Sequence, residues 1–430
     1  MRVVSNIQKR ISNSKFYKSV LLIAGGTALA QLSNALLSPI ITRLYTPDEY
    51  GILTTFMALM GILSVVGSLK YELAIPIAED DFKALSIITL SILVLTTISF
   101  SIFVTLFFWG DVILGLIGGD SITRYWIWLP VGVFFTGLYA IFMQYAFRTK
   151  NYKTISRTKI NQSLFQNITK IGLGATNFGA SGLLIGTIIG QSAGIGSLTM
   201  PFFRNLKSLK RSVTRDQIWM CAKRYSDFPK YSAPSQFLNI AGVQLPVLLL
   251  TLIYGSQVVG YFGLANSIVN IPMTLIGRSV SDVFYSEAAT IGKKNPTKLK
   301  QLSDNLLKRL FILGLVPLII LLAFGPLLFS FVYGNTWHQA GVYARILAFL
   351  VFFRLIFTPI SNLFSIFEKQ KVAFLLDLFR VIGVILVFGI SKLLGLNEYV
   401  AVSLYVLVMS VIYLLTYLSA QNILKNEILK

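Results

Sequence analysis

Five cationic side chains, Lys170, Arg278, Arg345, Arg354 and Arg380, stand inside segments otherwise too apolar to carry charge, accompanied by two acids, Asp282 and Asp377. A lone charge at the centre of a bilayer costs at least about 2.5 kcal/mol, so each must face protein or water rather than lipid. Cations held in this way, in excess over acids, suit a negatively charged ligand. Arg278 and Asp282 are four residues apart and can equally neutralise each other, and the three-residue spacing of Asp377 and Arg380 makes an ion pair the default there. Lys170 either faces a water-filled cavity or snorkels along its long stem. Arg345 and Arg354 are nine residues apart, which sets them on opposite faces of one helix; Arg354 is deeper and is the better ligand candidate.

Amides run alongside these cations. Thr27, Gln31, Asn34 and Ser38 share a narrow sector of one helix, and Ser235, Asn239, Gly242 and Pro246 share a similar sector of another. A third segment carries Asn266, Asn270, Pro272 and Thr274 and continues to Arg278 and Asp282. Such stripes either join helices by hydrogen bonds or line a polar passage, and their recurrence at matching places in two halves favours the passage. Pro272 predicts a bend, with freed backbone groups that need water or a neighbour.

The chemistry that is missing narrows the field. Cys221 is the sole cysteine and His338 the sole histidine, so one chain can build no disulfide, no Cys-rich or His-rich metal site and no Cys/His nucleophile pair. There is no glycine-rich loop ending in Lys-Ser or Lys-Thr. The longest outer loop holds only Asp111 and Asp120, too little acidic chemistry for a membrane glycosyltransferase or polymerase. No cofactor, no metal and no covalent reaction are expected. Glu72, Asp282 and Asp377 are the acids available for coupling to protons or sodium, and each also has a structural or interfacial reading.

The elements that must position these residues are helices that cross a bilayer. Of the 430 residues 55% are apolar and 13% charged, about half the charge of an average soluble domain, and windows of about 20 residues are apolar on every face. At 1.5 Å per residue, twelve spans fit. They cover roughly 20 to 44, 52 to 69, 85 to 109, 125 to 147, 160 to 178 and 182 to 203 in the first half. In the second half they cover roughly 233 to 254, 260 to 284, 310 to 333, 341 to 367, 372 to 391 and 398 to 420. The expected fold class is all-α and polytopic, and the basic N-terminal segment leads into a retained first helix.

The net charge of +21 invites a nucleic-acid reading, but the charges lie in short tracts on alternate loops. With the N-terminus inside, 30 of the 38 Lys and Arg fall on the cytoplasmic side, whereas the outer side holds only Arg43, Arg124 and Lys392. No nucleic-acid partner is expected, and both termini are predicted to be cytoplasmic. Trp109, Trp126, Trp128 and Trp337 fall near outer ends of spans, as interfacial indoles do. Tyr45-Thr-Pro-Asp-Glu-Tyr-Gly51 and Tyr254-Gly-Ser-Gln-Val-Val-Gly260 each follow the first span of a six-helix half, with Tyr and Gly offset by 209 residues. This divides the chain into lobes at 1–215 and 216–430.

Five stretches, TRLYTPDEYG (42 to 51), KYELAIPIAEDD (70 to 81), FPKYSAPSQFLN (228 to 239), VVGYFGLANSIVNIPMTLIG (258 to 277) and FVYGNTWHQAGVYARIL (331 to 347), carry a further signal. Together they resemble the bacterial lipid-linked oligosaccharide flippases, the O-antigen and polysaccharide exporters of the multidrug/oligosaccharidyl-lipid/polysaccharide superfamily. The resemblance implies two six-helix lobes around a central cavity that opens alternately to each side of the bacterial inner membrane. It implies a polyprenyl-pyrophosphate-linked oligosaccharide as cargo, surrounding membrane lipids, and glycan polymerase and chain-length machinery as partners. It also implies that cavity cations meet the pyrophosphate, with Arg278 in a family-like segment. A multidrug or metabolite exporter of the same superfamily, and a membrane enzyme of glycan assembly, are the rival readings.

Overall fold

The computed structural model describes residues 15–117, 120–209, 214–292 and 295–429, and among them every regular element is helical. Among the described residues, nine helical stretches are long and apolar enough to cross a bilayer. Lys15–Leu44 and Tyr152–Ala175, which carry the amides of the first and fifth predicted spans, are two further long helices. The Phe228–Val269 stretch has 42 residues, about 63 Å at helical rise and twice the thickness of a hydrocarbon core. It turns at Gly255, whose φ of 83° only glycine adopts without strain, and so supplies the seventh span and the start of the eighth. These elements together account for the twelve spans.

The eighth span breaks where Pro272 predicts a bend. Helix ends at Val269, a π-helical turn covers Met273–Gly277, and Arg278–Ile291 continues beyond it. Other ends are set by local capping. Thr46 and Glu49 exchange backbone and side-chain hydrogen bonds at 2.8 and 3.3 Å ahead of Pro47–Val66, Thr214 and Gln217 do the same ahead of Arg215–Arg224, and Asn295 caps Pro296–Tyr333.

Along Pro296–Tyr333 the side chains of Phe311, Ile312, Val316, Ile319, Phe324, Leu327 and Phe331 all stand exposed, and Gln370–Leu393 presents a similar apolar face. Water-soluble monomers do not display patches of that extent, so the bilayer is the solvent for these faces. The outer aromatic cluster fits this placement: Trp109 is exposed beside Phe108, and Trp126 packs on Phe103 and Phe107. Trp337 departs from the interfacial expectation. It is 0% exposed, clasped edge-on by Tyr50 at 5.5 Å and Tyr261 at 6.0 Å, because the packing of its own unit reaches it before lipid does.

The chain gathers into two compact units, one comprising residues up to Tyr45 with Thr55–Gln244, the other Thr46–Thr54 with Leu245–Lys430. The packing division thus falls at 244/245, while the lobe boundary read from the basic loop is 215/216. Residues 214–228 pack with the first unit: Cys221 and Tyr225 join its core, Tyr71 donates to the Ala222 carbonyl at 3.2 Å, and Arg224 pairs with Glu79. Lys83 also pairs with Glu79, and Arg148 grips Asp81 at 3.0 Å and the Ala78 carbonyl at 2.6 Å, so the acidic 70–84 loop is a folded plug rather than a free connector.

In the second unit, the two repeated segments lie against each other. A Cβ at Gly51 would strike the Ser256 carbonyl, and a Cβ at Gly260 would strike the Pro47 carbonyl. Gly51 and Gly260, and Pro47 and Ser256, are both related by the 209-residue offset, so the contact is reciprocal, as a two-fold relation requires. Asp48 and Ser256 close it with a hydrogen bond. Two consequences are measurable. Gly260→Val must push the touching backbones apart and is expected to lower the stability of the purified protein by about 1–3 kcal/mol in thermal unfolding. The Glu79 carboxyl is held below its ordinary 4.5, first by the Lys83 hydrogen bond and then by Arg224, so its pairing holds above that value and is lost as pH falls. Limited proteolysis within 214–228 should therefore rise in wild type as pH drops below about 4.5, and should be pH-independent in Glu79→Gln.

Candidate functional site

The second unit brings three of the predicted site residues together. Asn266 and Asn270 are one turn apart at the broken end of the eighth span, where the helix stops at Val269. Asn270 Nδ2 donates to both Asn266 Oδ1 and the Asn266 carbonyl, each at 2.7 Å. Its own Oδ1 accepts from Arg354 Nη1 at 3.4 Å, across from the His338–Phe357 helix. The amides orient the guanidinium, which keeps four of its five N–H donors for other partners. Arg354 is half-buried whereas Arg345 is exposed, as their opposite-face spacing requires. The arrangement is a preorganised cation beside a polar helix break, suited to holding an anion by charge-assisted hydrogen bonds of about 1.5–3 kcal/mol each.

Arg278 opens the helix that follows the break, and its side chain lies outside the described residues. Asp282 is exposed one turn further on, and Asn362 Nδ2 ties the same helix at Ser281 Oγ, 2.9 Å away. Asp377 is paired with Arg380 at 2.9 Å, as the spacing suggests.

The first unit puts its polar residues to a different use. Asn34 Oδ1 accepts from Asn167 Nδ2 at 2.8 Å and lies 2.7 Å from the Ser163 hydroxyl, which also reaches the Ala30 carbonyl at 3.0 Å. The carbonyl oxygen of Asn34 thus joins the first and fifth helices in a seam, and Gln31 is half-buried one turn before it. Lys170 belongs to the same seam. It is 6% exposed, its carbonyl accepts from the Tyr45 hydroxyl at 2.7 Å, and Gly186 of the neighbouring helix leaves room for its stem. None of the described carboxylates pairs with it. Gly182, Gly186 and Gly190, four residues apart, let that helix approach closely; this spacing is legible in the sequence and marks the seam that the polar residues alone did not.

Asn239 is exposed in the same unit, on a stretch from Pro234 to Asn239 that is exposed on every face. Glu72 is 3% exposed and already engaged, with Ser68 Oγ at 2.5 Å and Lys70 Nζ at 3.7 Å, which fits a structural role in the 70–84 plug. His338 and Asp111 are exposed, and no three His, Cys, Asp or Glu side chains gather at metal-binding spacing among the described residues.

A multi-pass α-helical membrane protein with these features has close counterparts in solved structures. A multidrug resistance MATE family transporter of the MOP superfamily in its inward-facing conformation superposes with a TM-score of 0.71 at 14% identity, covering 92% of this chain and 95% of that one. The outward-facing conformation of such a transporter gives 0.59 at 15% identity over 95% and 96%. The lipid II flippase MurJ, inward closed, gives 0.72 at 15% identity over 94% and 87%. The fold is therefore the one these transporters share. Residues 40–342 match the family of polysaccharide biosynthesis proteins, and the chain belongs to that family. No curated protein matches the sequence.

The seam and the break make opposite demands on a substitution. Asn34→Leu removes the acceptor of the Asn167 amide donor and is expected to cost about 1–2 kcal/mol in thermal unfolding, whereas Asn266→Leu, beside the helix break, is expected to spare stability and weaken anion binding.

Proposed function

We propose that this protein is a flippase that moves polyprenyl-pyrophosphate-linked oligosaccharide repeat units from the cytoplasmic to the outer leaflet of the bacterial inner membrane, by alternating access and without covalent catalysis. Both termini lie in the cytoplasm, and the glycan polymerase and chain-length machinery receive the product. The observation that carries the reading is the Arg354–Asn270–Asn266 cluster at a break in a membrane helix, in a chain of a polysaccharide biosynthesis family with a transporter fold. MurJ, of the same fold, is by name a flippase of a lipid.

The physics suits such a cargo. A polyprenyl tail dissolves in lipid, but a sugar-pyrophosphate head cannot cross hydrocarbon with its hydrogen bonds and charges unmet. Only the head needs a polar route, and Arg354 with its amides offers one. With the cell interior negative, outward movement of two negative charges gains roughly 4–5 kcal/mol per 100 mV when both cross the full field, so the potential alone is an adequate driving force. Lys170 and Asn34 serve the first unit chiefly as its packing. A multidrug exporter of the same fold would want carboxylates for cationic drugs, and the cluster presents a cation instead.

The test reconstitutes the purified chain in vesicles and follows a labelled lipid-linked oligosaccharide between leaflets, with and without an imposed potential. Transfer should accelerate when the potential favours outward movement of negative charge. Arg354→Ala should slow it about 10- to 100-fold, the worth of one or two charge-assisted bonds, with protein levels unchanged. Unimpaired transfer in both Arg354→Ala and Arg278→Ala would remove the cationic mechanism.

A further inference from the structure

The short helix Arg215–Arg224 has two faces of different chemistry. Thr214 and Gln217 cap its start reciprocally, so its own sequence sets it as a helix. At 100° per residue Ile218, Cys221, Ala222 and Tyr225 fall on one side. These residues pack into the core of the first unit, in one cluster with Ala84, Leu85 and Ile88 of the Asp81–Leu116 helix. The other side carries Trp219, 73% exposed, and Met220, 61% exposed, with Arg215 and Lys223 exposed on the same face. An exposed indole, apolar in its body and polar at its N–H, is the side chain of membrane–water interfaces.

The place of the helix in the chain says what covers that face. It follows the Ala180–Phe202 stretch and, after Tyr225, Ser226 and Asp227, leads into Phe228–Val269, both long and apolar enough to cross a bilayer. Its buried side rests on the first turns of a third such stretch, Asp81–Leu116, and Tyr225 packs on Phe228 at 6.3 Å. These attachments hold the helix at the level where spans leave the hydrocarbon. Residues 204–231 hold eight Lys and Arg against two acids, Asp216 and Asp227, so the surface calls for a negative partner. Arg224 is engaged by Glu79, whereas Arg215 and Lys223 pair with no carboxylate among the described residues. Basic side chains beside an exposed tryptophan on a helix with an apolar opposite face are the composition of helices that lie in the bilayer surface.

We propose that Arg215–Arg224 is a membrane-surface helix whose outer face binds the anionic phospholipid headgroups of the adjoining leaflet. Trp219 and Met220 sit at the boundary of headgroup and acyl chain, and Arg215 and Lys223 meet the negative headgroups. The same helix holds Glu79 through Arg224 and accepts from Tyr71 at the Ala222 carbonyl, 3.2 Å away, so lipid bound outside steadies the 70–84 plug inside. This role is independent of the cargo.

The experiment places an environment-sensitive fluorophore on the full-length chain carrying Met220→Cys and Cys221→Ala, in nanodiscs of phosphatidylcholine with and without phosphatidylglycerol. Thermal unfolding is recorded for every variant. Emission should shift to the blue and be quenched by phospholipid spin-labelled near the headgroup, with quenching about twofold stronger when phosphatidylglycerol is present. Salt at about 1 M, which cuts the screening length to roughly 3 Å, should remove the difference. Arg215→Glu combined with Lys223→Glu should abolish the gain from phosphatidylglycerol at unchanged unfolding temperature, because neither side chain enters the core; the milder Arg215→Gln with Lys223→Gln should act alike. In the unlabelled wild type, proteolysis within 214–228 should slow when phosphatidylglycerol is added, and should not slow in the double variant. Water-like, unquenched emission in both lipids overturns the proposal and leaves the face to a soluble acidic partner. Quenching that is equal in both lipids, or fully retained in a folded double variant, overturns the assignment of anionic headgroups.

Discussion

Within a bilayer every polar group must find its partner inside the protein or in enclosed water, and this constraint organises the whole chain. Where hydrocarbon meets the helices, as along Pro296–Tyr333, the exposed side chains are phenylalanine, leucine and isoleucine. Where a charge or amide enters a span, the fold supplies a neighbour for it: Asn34 meets Ser163 and Asn167, Asn270 meets Asn266 and Arg354, and Arg380 meets Asp377 and Tyr413. The Lys170 ammonium is the instructive exception, since it is buried in a seam of helices without a carboxylate among the described residues, and the close approach allowed by Gly186 fixes its stem.

The same constraint separates glue from site. An amide such as Asn34, whose oxygen accepts from two side chains of a neighbouring helix, fastens helices together. An arginine that spends one of five donors, beside a helix that changes to a π-turn after Pro272, retains capacity for a ligand.

The repeated segments give the constraint a symmetric form. Gly51 and Gly260 let two backbones touch, with Pro47 and Ser256 in equivalent places, so the two segments meet reciprocally within the second unit. The aromatic clasp of Tyr50, Trp337 and Tyr261 lies in the same unit and buries an indole that hydropathy alone would leave at the membrane surface.

Composition and periodicity by themselves determined the all-helical, membrane-spanning class, the number of spans, the bend at Pro272 and the opposite faces of Arg345 and Arg354. Each of these follows from local rules, namely helical rise against bilayer thickness, the missing proline N–H and the 100° turn per residue. Only the tertiary structure decided that Asn34 is glue while Asn270 orients a cation, that Glu72 is already engaged, that Trp337 is buried, and that Arg380 lies over Tyr413. A polar stripe read along one helix specifies which face is polar and not which neighbour it meets, and that choice is made by packing between segments more than a hundred residues apart in some cases.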